Sequence, residues 1–223
     1  MRQWQKKKRV MKSNIFPISQ IGLKYMAYSF AIFTFFVIFD FDFFALLAFA
    51  FVILFAYIYR NPERELSIFE KNSCLSPVDG EIISIDEIED KEYMYKIIVD
   101  NTYLDIALLR VPFDSKLESV SMHHGARLSF NSKIASDLNE NVELLFSNSN
   151  NIKVKIKHIS KQSITGFDIN AKESHLIHQT QRYGTMPNGI TEIYIPRNFR
   201  LNINVGNKII ASQTLLGYFI SVP

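Results

Sequence analysis

The sequence predicts a mainly β protein: a barrel-like β-sandwich domain behind an N-terminal two-helix membrane hairpin. Three observations predict it. From Leu75 onward, apolar and polar residues alternate in short runs bounded by Gly, Asn and Asp. Before that, Tyr25–Tyr59 is apolar almost throughout, with Asp40 and Asp42 its only charged residues. The charge is divided as well: Arg2, Lys6, Lys7, Lys8, Arg9 and Lys12 crowd the start, so a chain of formal charge +3 is net acidic after them. The basicity belongs to a tail, and no nucleic-acid surface is expected.

The elements follow in order. Residues 1–20 form a basic cytoplasmic tail. Residues 21–59 form the hairpin, because one straight helix over Tyr25–Tyr59 would run to about 50 Å against a hydrocarbon core of roughly 30 Å. It would also hold two carboxylates in lipid, at a cost of several kcal/mol. A fold at Asp40-Phe41-Asp42 removes both problems and gives helices over Ile21–Phe39 and Phe43–Tyr59, with Lys24 free to reach headgroups. Both ends then lie on one side, and the basic tail with Arg60 and Arg64 places that side in the cytoplasm, at the inner membrane. The apolar stretch is too long for a cleaved leader and lacks a small-residue cleavage site. Residues 60–74 are a linker.

Residues 75–223 form the β domain. Strands are expected at Glu81–Ile85, Tyr93–Val99, Leu104–Leu109, Leu117–Met122, Ile152–Lys157, Glu192–Ile195, Lys208–Ala211 and Leu215–Ile220. Breaks fall at Asp79-Gly80, Asp100-Asn101, His124-Gly125, Ser147–Asn151 and Gly206-Asn207, with at most a helical turn or two near Ser132–Asn139. There is no repeat of 20–50 residues. The lone Cys74 cannot form an internal disulfide, which suits a reducing compartment, and reads as a small buried hydrophobe.

Several motifs in fixed order resemble one enzyme family. Tyr59-Arg60-Asn61-Pro62-Glu63-Arg64 closes the hairpin, and Ser76-Pro77-Val78-Asp79-Gly80 opens the domain. Asp105-Ile106-Ala107-Leu108-Leu109-Arg110-Val111-Pro112 and Met122-His123-His124-Gly125 follow. Tyr183-Gly184 leads through Asn188-Gly189-Ile190-Thr191-Glu192 to Tyr194-Ile195-Pro196, and Val205-Gly206-Asn207-Lys208-Ile209 precedes Thr214-Leu215-Leu216-Gly217. Over roughly residues 20–221 this order is similar to the small bacterial and archaeal phosphatidylserine decarboxylases. The resemblance implies self-processing: a serine hydroxyl attacks the preceding glycine carbonyl, and elimination leaves a pyruvoyl group that forms a Schiff base with the substrate amine.

The residues that this chemistry requires are only partly present. The cleavage position reads Gly189-Ile190, and isoleucine has no hydroxyl, so no pyruvoyl group can form there and no other cofactor is expected. Thr191 is the nearest hydroxyl and Thr185 follows Gly184; cleavage at either would give a 2-oxobutanoyl group instead. Ala107 stands where the family's D-V-H histidine belongs and offers neither acid nor base. The family's E-N-E-R run is blurred to Glu140-Asn141-Val142-Glu143. Asp79 remains where the resemblance implies a processing acid, although Asp-Gly is also an ordinary hairpin turn.

Other constellations read as ordinary surface. His123-His124 point to opposite faces of a strand, and His175 and His178 have helical spacing in a strand-like neighbourhood, so no metal site is expected. Lys153, Lys155, Lys157 and Lys161 make a basic stripe, either a solvated face or a face toward anionic lipid. The resulting expectation is a membrane-anchored, catalytically degenerate relative acting on a phospholipid membrane. It would bind a serine phospholipid headgroup or another phospholipid-synthesis enzyme. The alternatives are an active decarboxylase producing phosphatidylethanolamine and a structural membrane-surface module.

Overall fold

The computed structural model describes residues 17–64, 70, 72–129 and 134–220. The basic cluster of residues 1–12 and linker residues 65–69 and 71 lie outside the described residues.

Two helices come first, α1 (Gln20–Ile38) and α2 (Asp42–Ile58). Ser19 caps α1, its hydroxyl accepting the Gly22 N–H at 3.4 Å. The reversal falls at the expected carboxylates: Asp40 takes a left-handed φ of 56°, and Asp42 begins α2, where a carboxylate favours the positive end of the helix dipole. The two helices meet along an aromatic seam, with Phe33–Phe49 and Phe36–Phe44 centroids 5.5 and 5.4 Å apart. Gly22 lets the helix bases close, since a Cβ there would meet the Tyr59 ring. The outer faces remain covered with exposed Phe, Leu and Ile. α1 is long and apolar enough to cross a membrane, and α2 is equally apolar at 17 residues.

The rest is mainly β, as the alternation predicts. Its strands are β1 (Ser73–Leu75), β2 (Gly80–Glu87), β3 (Tyr93–Asn101), β4 (Leu108–Arg110), β5 (Ser115–His123), β6 (Asn141–Ser147), β7 (Lys153–Ser160), β8 (Asp168–Ile169), β9 (Leu176–Ile177), β10 (Arg182–Thr185), β11 (Gly189–Pro196), β12 (Phe199–Leu201), β13 (Lys208–Ile209) and β14 (Leu215–Phe219). One short helix, α3 (Ala135–Leu138), lies between β5 and β6. An eight-stranded antiparallel sheet runs in the order β13-β2-β3-β11-β7-β6-β5-β9, and two three-stranded sheets, β1-β14-β12 and β4-β10-β8, accompany it. One core joins them: Ile97, Ile156, Ile193 and Leu144 of the large sheet cluster with Leu109, Tyr183, Leu216 and Phe219 of the small ones.

Two expected strands are corrected. Lys208–Ala211 ends at Ile209, because the Ile210 carbonyl accepts the Gln213 and Thr214 N–H groups in a turn. Leu104–Leu109 begins only at Leu108, because Asp105 closes a turn by accepting from both the N–H and the hydroxyl of Thr102, each at 2.8 Å. The Ser147–Asn151 break is the β6–β7 hairpin, with Asn151 left-handed at φ 59°.

The chain leaving α2 is stitched to the domain. Arg60 donates to the Leu104 carbonyl at 2.5 Å, Arg182 pairs with Glu63 at 2.8 Å, and the Tyr59 and Thr165 hydroxyls are hydrogen-bonded. The helix pair and the sheet system therefore meet at a defined joint.

Candidate functional site

The large sheet brings the positions named by the resemblance to one of its ends. Gly189, first residue of β11, lies opposite Asn101 at the end of β3 and Ser160 at the end of β7. Met186 bridges to the D-I-A segment: its N–H donates to the Ala107 carbonyl at 2.7 Å, and its sulfur occupies the space where a Cβ on Gly189 would go. On the other side, Asn101 donates to the Asp79 carbonyl at 2.8 Å. Gly80 permits that approach, because a Cβ there would meet the Asp100 carbonyl oxygen. Asn101 and Met186 thus tie Asp79 and Ala107 to Gly189, although all are far apart in sequence.

Their side chains are a different matter. Ile190 is 2% exposed and sits in regular strand, opposite Asp100 and Ile159, with no left-handed φ at Gly189, Ile190 or Thr191. Ala107 is buried without a functional group. Asp79 is fully engaged: Arg64 grips it with Nη1–Oδ1 at 2.7 Å and Nη2–Oδ2 at 2.5 Å, and the Ala211 N–H donates to Oδ1 at 2.9 Å. Arg64 also donates to the Ala211 carbonyl at 2.6 Å. The carboxylate is thus an acceptor in a bidentate ion pair with a buried guanidinium.

Thr191 faces the opposite way from Ile190, into the core. Its Oγ1 is 2.8 Å from His158 Nδ1, and His158 Nε2 is 2.7 Å from the Tyr183 hydroxyl. Burial drives the imidazole pKa down from 6.5 to about 3 and pushes the Tyr183 phenol up. The ring is therefore neutral, one nitrogen donating and the other accepting. Strand alternation on β7 explains the placement: Lys153, Lys155 and Lys157 face out, while Val154, Ile156 and His158 face in. The sequence reading named the lysines of this stripe and missed the histidine; its even register with the core residues was the available signal.

A cleft of about 330 Å³ opens beside Ile190, lined by Ile83, Asp100, Ser129, Lys161, Gln162 and Asn188 as well. This is at the small end for ligand sites. Lys161 and Asp100 form an ion pair across it. A larger cleft, about 550 Å³ around Glu87–Lys91 and Arg197, belongs to the opposite end of the sheet at the β2–β3 hairpin.

The acidic run is held by basic side chains. Glu140 is buried and receives Arg127 Nε at 3.0 Å, with His124 Nδ1 at 3.5 Å. Arg110 is buried beneath the hairpin exit, donating to the Thr180 and Pro62 carbonyls at 3.2 and 3.4 Å. Burial, then the nearby Arg182 and Arg64, lower its pKa to about 10.

Among the described residues no three His, Cys, Asp or Glu side chains gather at a metal-binding distance. His123 contacts Ser121, while His175 contacts the Glu173 carbonyl and His178 contacts Asp114. The lysine stripe is occupied by partners: Lys153 pairs with Glu118, Lys157 with Glu143 and Lys161 with Asp100, and Lys155 lies over the Tyr194 ring at 4.1 Å. Cys74 is fully buried, and burial raises its thiol pKa.

Comparison with known proteins gives the family. A family model described as phosphatidylserine decarboxylase matches residues 51–217. The phosphatidylserine decarboxylase proenzyme of Syntrophus aciditrophicus is 27% identical over 180 residues, covering 78% of this chain and 84% of that one. The proenzyme of Pelagibacter ubique is 26% identical over 215 residues (92% and 99%), and that of Geotalea daltonii 23% over 211 residues (93% and 99%). No solved structure matches the chain.

Proposed function

The chain belongs to the phosphatidylserine decarboxylase family, and on that premise we propose that it is a membrane-anchored member that no longer cuts itself and that holds a serine phospholipid headgroup. The observation that carries this reading is the state of the cleavage position: a buried isoleucine in regular strand, at the same end of the sheet as a buried alanine and an aspartate held by Arg64. The family depends on a pyruvoyl group made from its own chain, and the residues here do not fit one, since Ile190 has no hydroxyl and Asp79 is committed to Arg64 and the Ala211 N–H. No step through that group is derived.

What remains is a cleft shaped for a headgroup. Asp100 and Lys161, paired with each other across the cleft, would exchange that pair for the ammonium and carboxylate of a serine headgroup. The helix pair supplies the anchor, with its outer faces exposed and apolar. Arg60 and Arg64 at its exit, together with the basic tail, orient the domain toward the cytoplasm at the inner membrane.

An active enzyme is the second reading, favoured by one contact. Thr191, adjacent to the cleavage position, has a hydroxyl 2.8 Å from a neutral buried imidazole, a base in reach of a nucleophile. It would cut between Ile190 and Thr191. Its placement in an unstrained central strand paired on both sides argues against it.

The test reconstitutes the full chain in nanodiscs containing phosphatidylserine with a labelled carboxyl. Retention of serine lipid over phosphatidylcholine without release of labelled CO₂ is the expected result. Release of labelled CO₂ would replace this reading with the second one, and equal retention of both lipids would remove the headgroup role.

A further inference from the structure

We infer that the end of the β domain nearest the hairpin is itself a lipid-contacting rim, seated in the bilayer interface through Leu104 and Ile164. The inference rests on the membrane-anchor reading and adds a second contact surface to it.

Strand register defines the end in question. Gly189 lies opposite Asn101 and Ser160, Asn141 opposite Ile159, and His123 opposite Asn141, so the segments that follow β3, β7 and β5 emerge together there. The helix pair joins the domain at this same end. Tyr59 closes α2 and hydrogen-bonds Thr165, and Arg60 donates to the Leu104 carbonyl. Tyr103 packs against Phe55, Ile58 and Tyr59, and its hydroxyl donates to the Gln162 carbonyl at 3.0 Å. The two loops are thereby fixed at the level where the apolar helices end.

Those fixed loops carry large apolar side chains facing away from the core. Leu104 is 72% exposed and Ile164 is 59% exposed. Leu128 and Leu138, also exposed, lie on the neighbouring segment, which Arg127 ties to the Ile164 carbonyl at 3.4 Å. A lone exposed leucine needs no explanation. Leu104 and Ile164, on loops hydrogen-bonded to the base of an apolar helix pair, have a specific occupant available, the acyl boundary of the same bilayer. Tyr25, Tyr57, Tyr59 and Tyr103 ring this level, and the Arg60 guanidinium lies 4.2 Å from the Tyr57 centroid, a composition suited to the headgroup layer. A rim seated in this way also brings the cleft beside Ile190 to the headgroups, because Gln162 and Lys161 of that cleft directly precede the Ile164 loop.

The test uses the full chain in vesicles of phosphatidylcholine and phosphatidylglycerol, with a polarity-sensitive dye on Leu104→Cys, Ile164→Cys, Leu176→Cys or Ile53→Cys. Cys74, with no exposure, does not compete for label. Leu176 is 78% exposed on β9, which pairs with Lys116 at the opposite end of the sheet, and Ile53 is exposed on α2. The expected result is blue-shifted emission at 104 and 164, quenched by lipid with a spin label near the headgroup, and water-like, unquenched emission at 176. Water-like emission at 104 and 164 with Ile53→Cys still quenched by lipid would overturn the rim and leave the anchor standing. Loss of quenching at 53 as well would overturn both.

Discussion

Replacing Asp79 by Asn leaves a buried guanidinium without its counter-charge, and the structure allows the consequence to be sized. The Arg64 and Asp79 side chains are 7% and 11% exposed and joined by two short hydrogen bonds. Breaking one partner of a buried pair costs about 3–5 kcal/mol. For a chain of this size, about 2–4 °C in Tm accompanies each kcal/mol, so Asp79→Asn and Arg64→Met should each lower Tm by roughly 6–20 °C. The double variant should recover part of that loss, with a coupling on the order of 1–3 kcal/mol, because no charge is then left unpaired. Differential scanning calorimetry of the detergent-solubilised full chain measures all four proteins. Single variants within about 0.5 kcal/mol of the parent, the range of ordinary surface changes, would refute the argument that Arg64 and Asp79 form a buried, mutually dependent ion pair.

Two further outcomes follow from the site. His158 has a folded pKa of about 3 against about 6.5 unfolded, so the unfolded chain takes up the proton first as pH falls. Stability should therefore be complete above about pH 6.5 and fall by about 1.4 kcal/mol per unit between there and about pH 3. His158→Gln should show a shallower decline in Tm over that window, and an unchanged slope would mean that the imidazole is not the group responsible. Lys161→Ala and Asp100→Asn should each reduce retention of serine phospholipid by about 10- to 150-fold, the effect of losing one charge-assisted hydrogen bond, while leaving phosphatidylcholine retention unchanged; equal losses for both lipids would remove the cleft from the account.

The parts legible in the sequence were those governed by local pattern. The reversal at Asp40 and Asp42 followed from two carboxylates that could not stay in an apolar helix, and β2, β3, β5, β7 and β11 followed from period-two alternation. β6 was missed because Leu144-Leu145-Phe146 is a continuous apolar run, a strand with little contrast between its faces. β4 is shorter than the apolar residues of 104–109 suggest because that stretch contains the Asp105 turn. At the site, motif order located Asp79, Ala107 and Gly189-Ile190, and the fold brings them together. Which of them is paired depends on long-range contacts: Arg64 reaches Asp79 and Ala211, and Arg127 reaches Glu140, across spacings that no local pattern encodes. His158 was legible in principle, in register with Val154 and Ile156, but was overshadowed by the alternating lysines.

The central claim is that this family member remains one chain, and the intact mass of the purified, detergent-extracted protein tests it most directly. With and without a carbonyl-reactive hydrazide, the account predicts a single unlabelled species of 25.9 kDa. Two fragments breaking near Gly189–Thr191, with the hydrazide on the new N-terminus of the C-terminal piece, would contradict it and make the protein a self-processing enzyme.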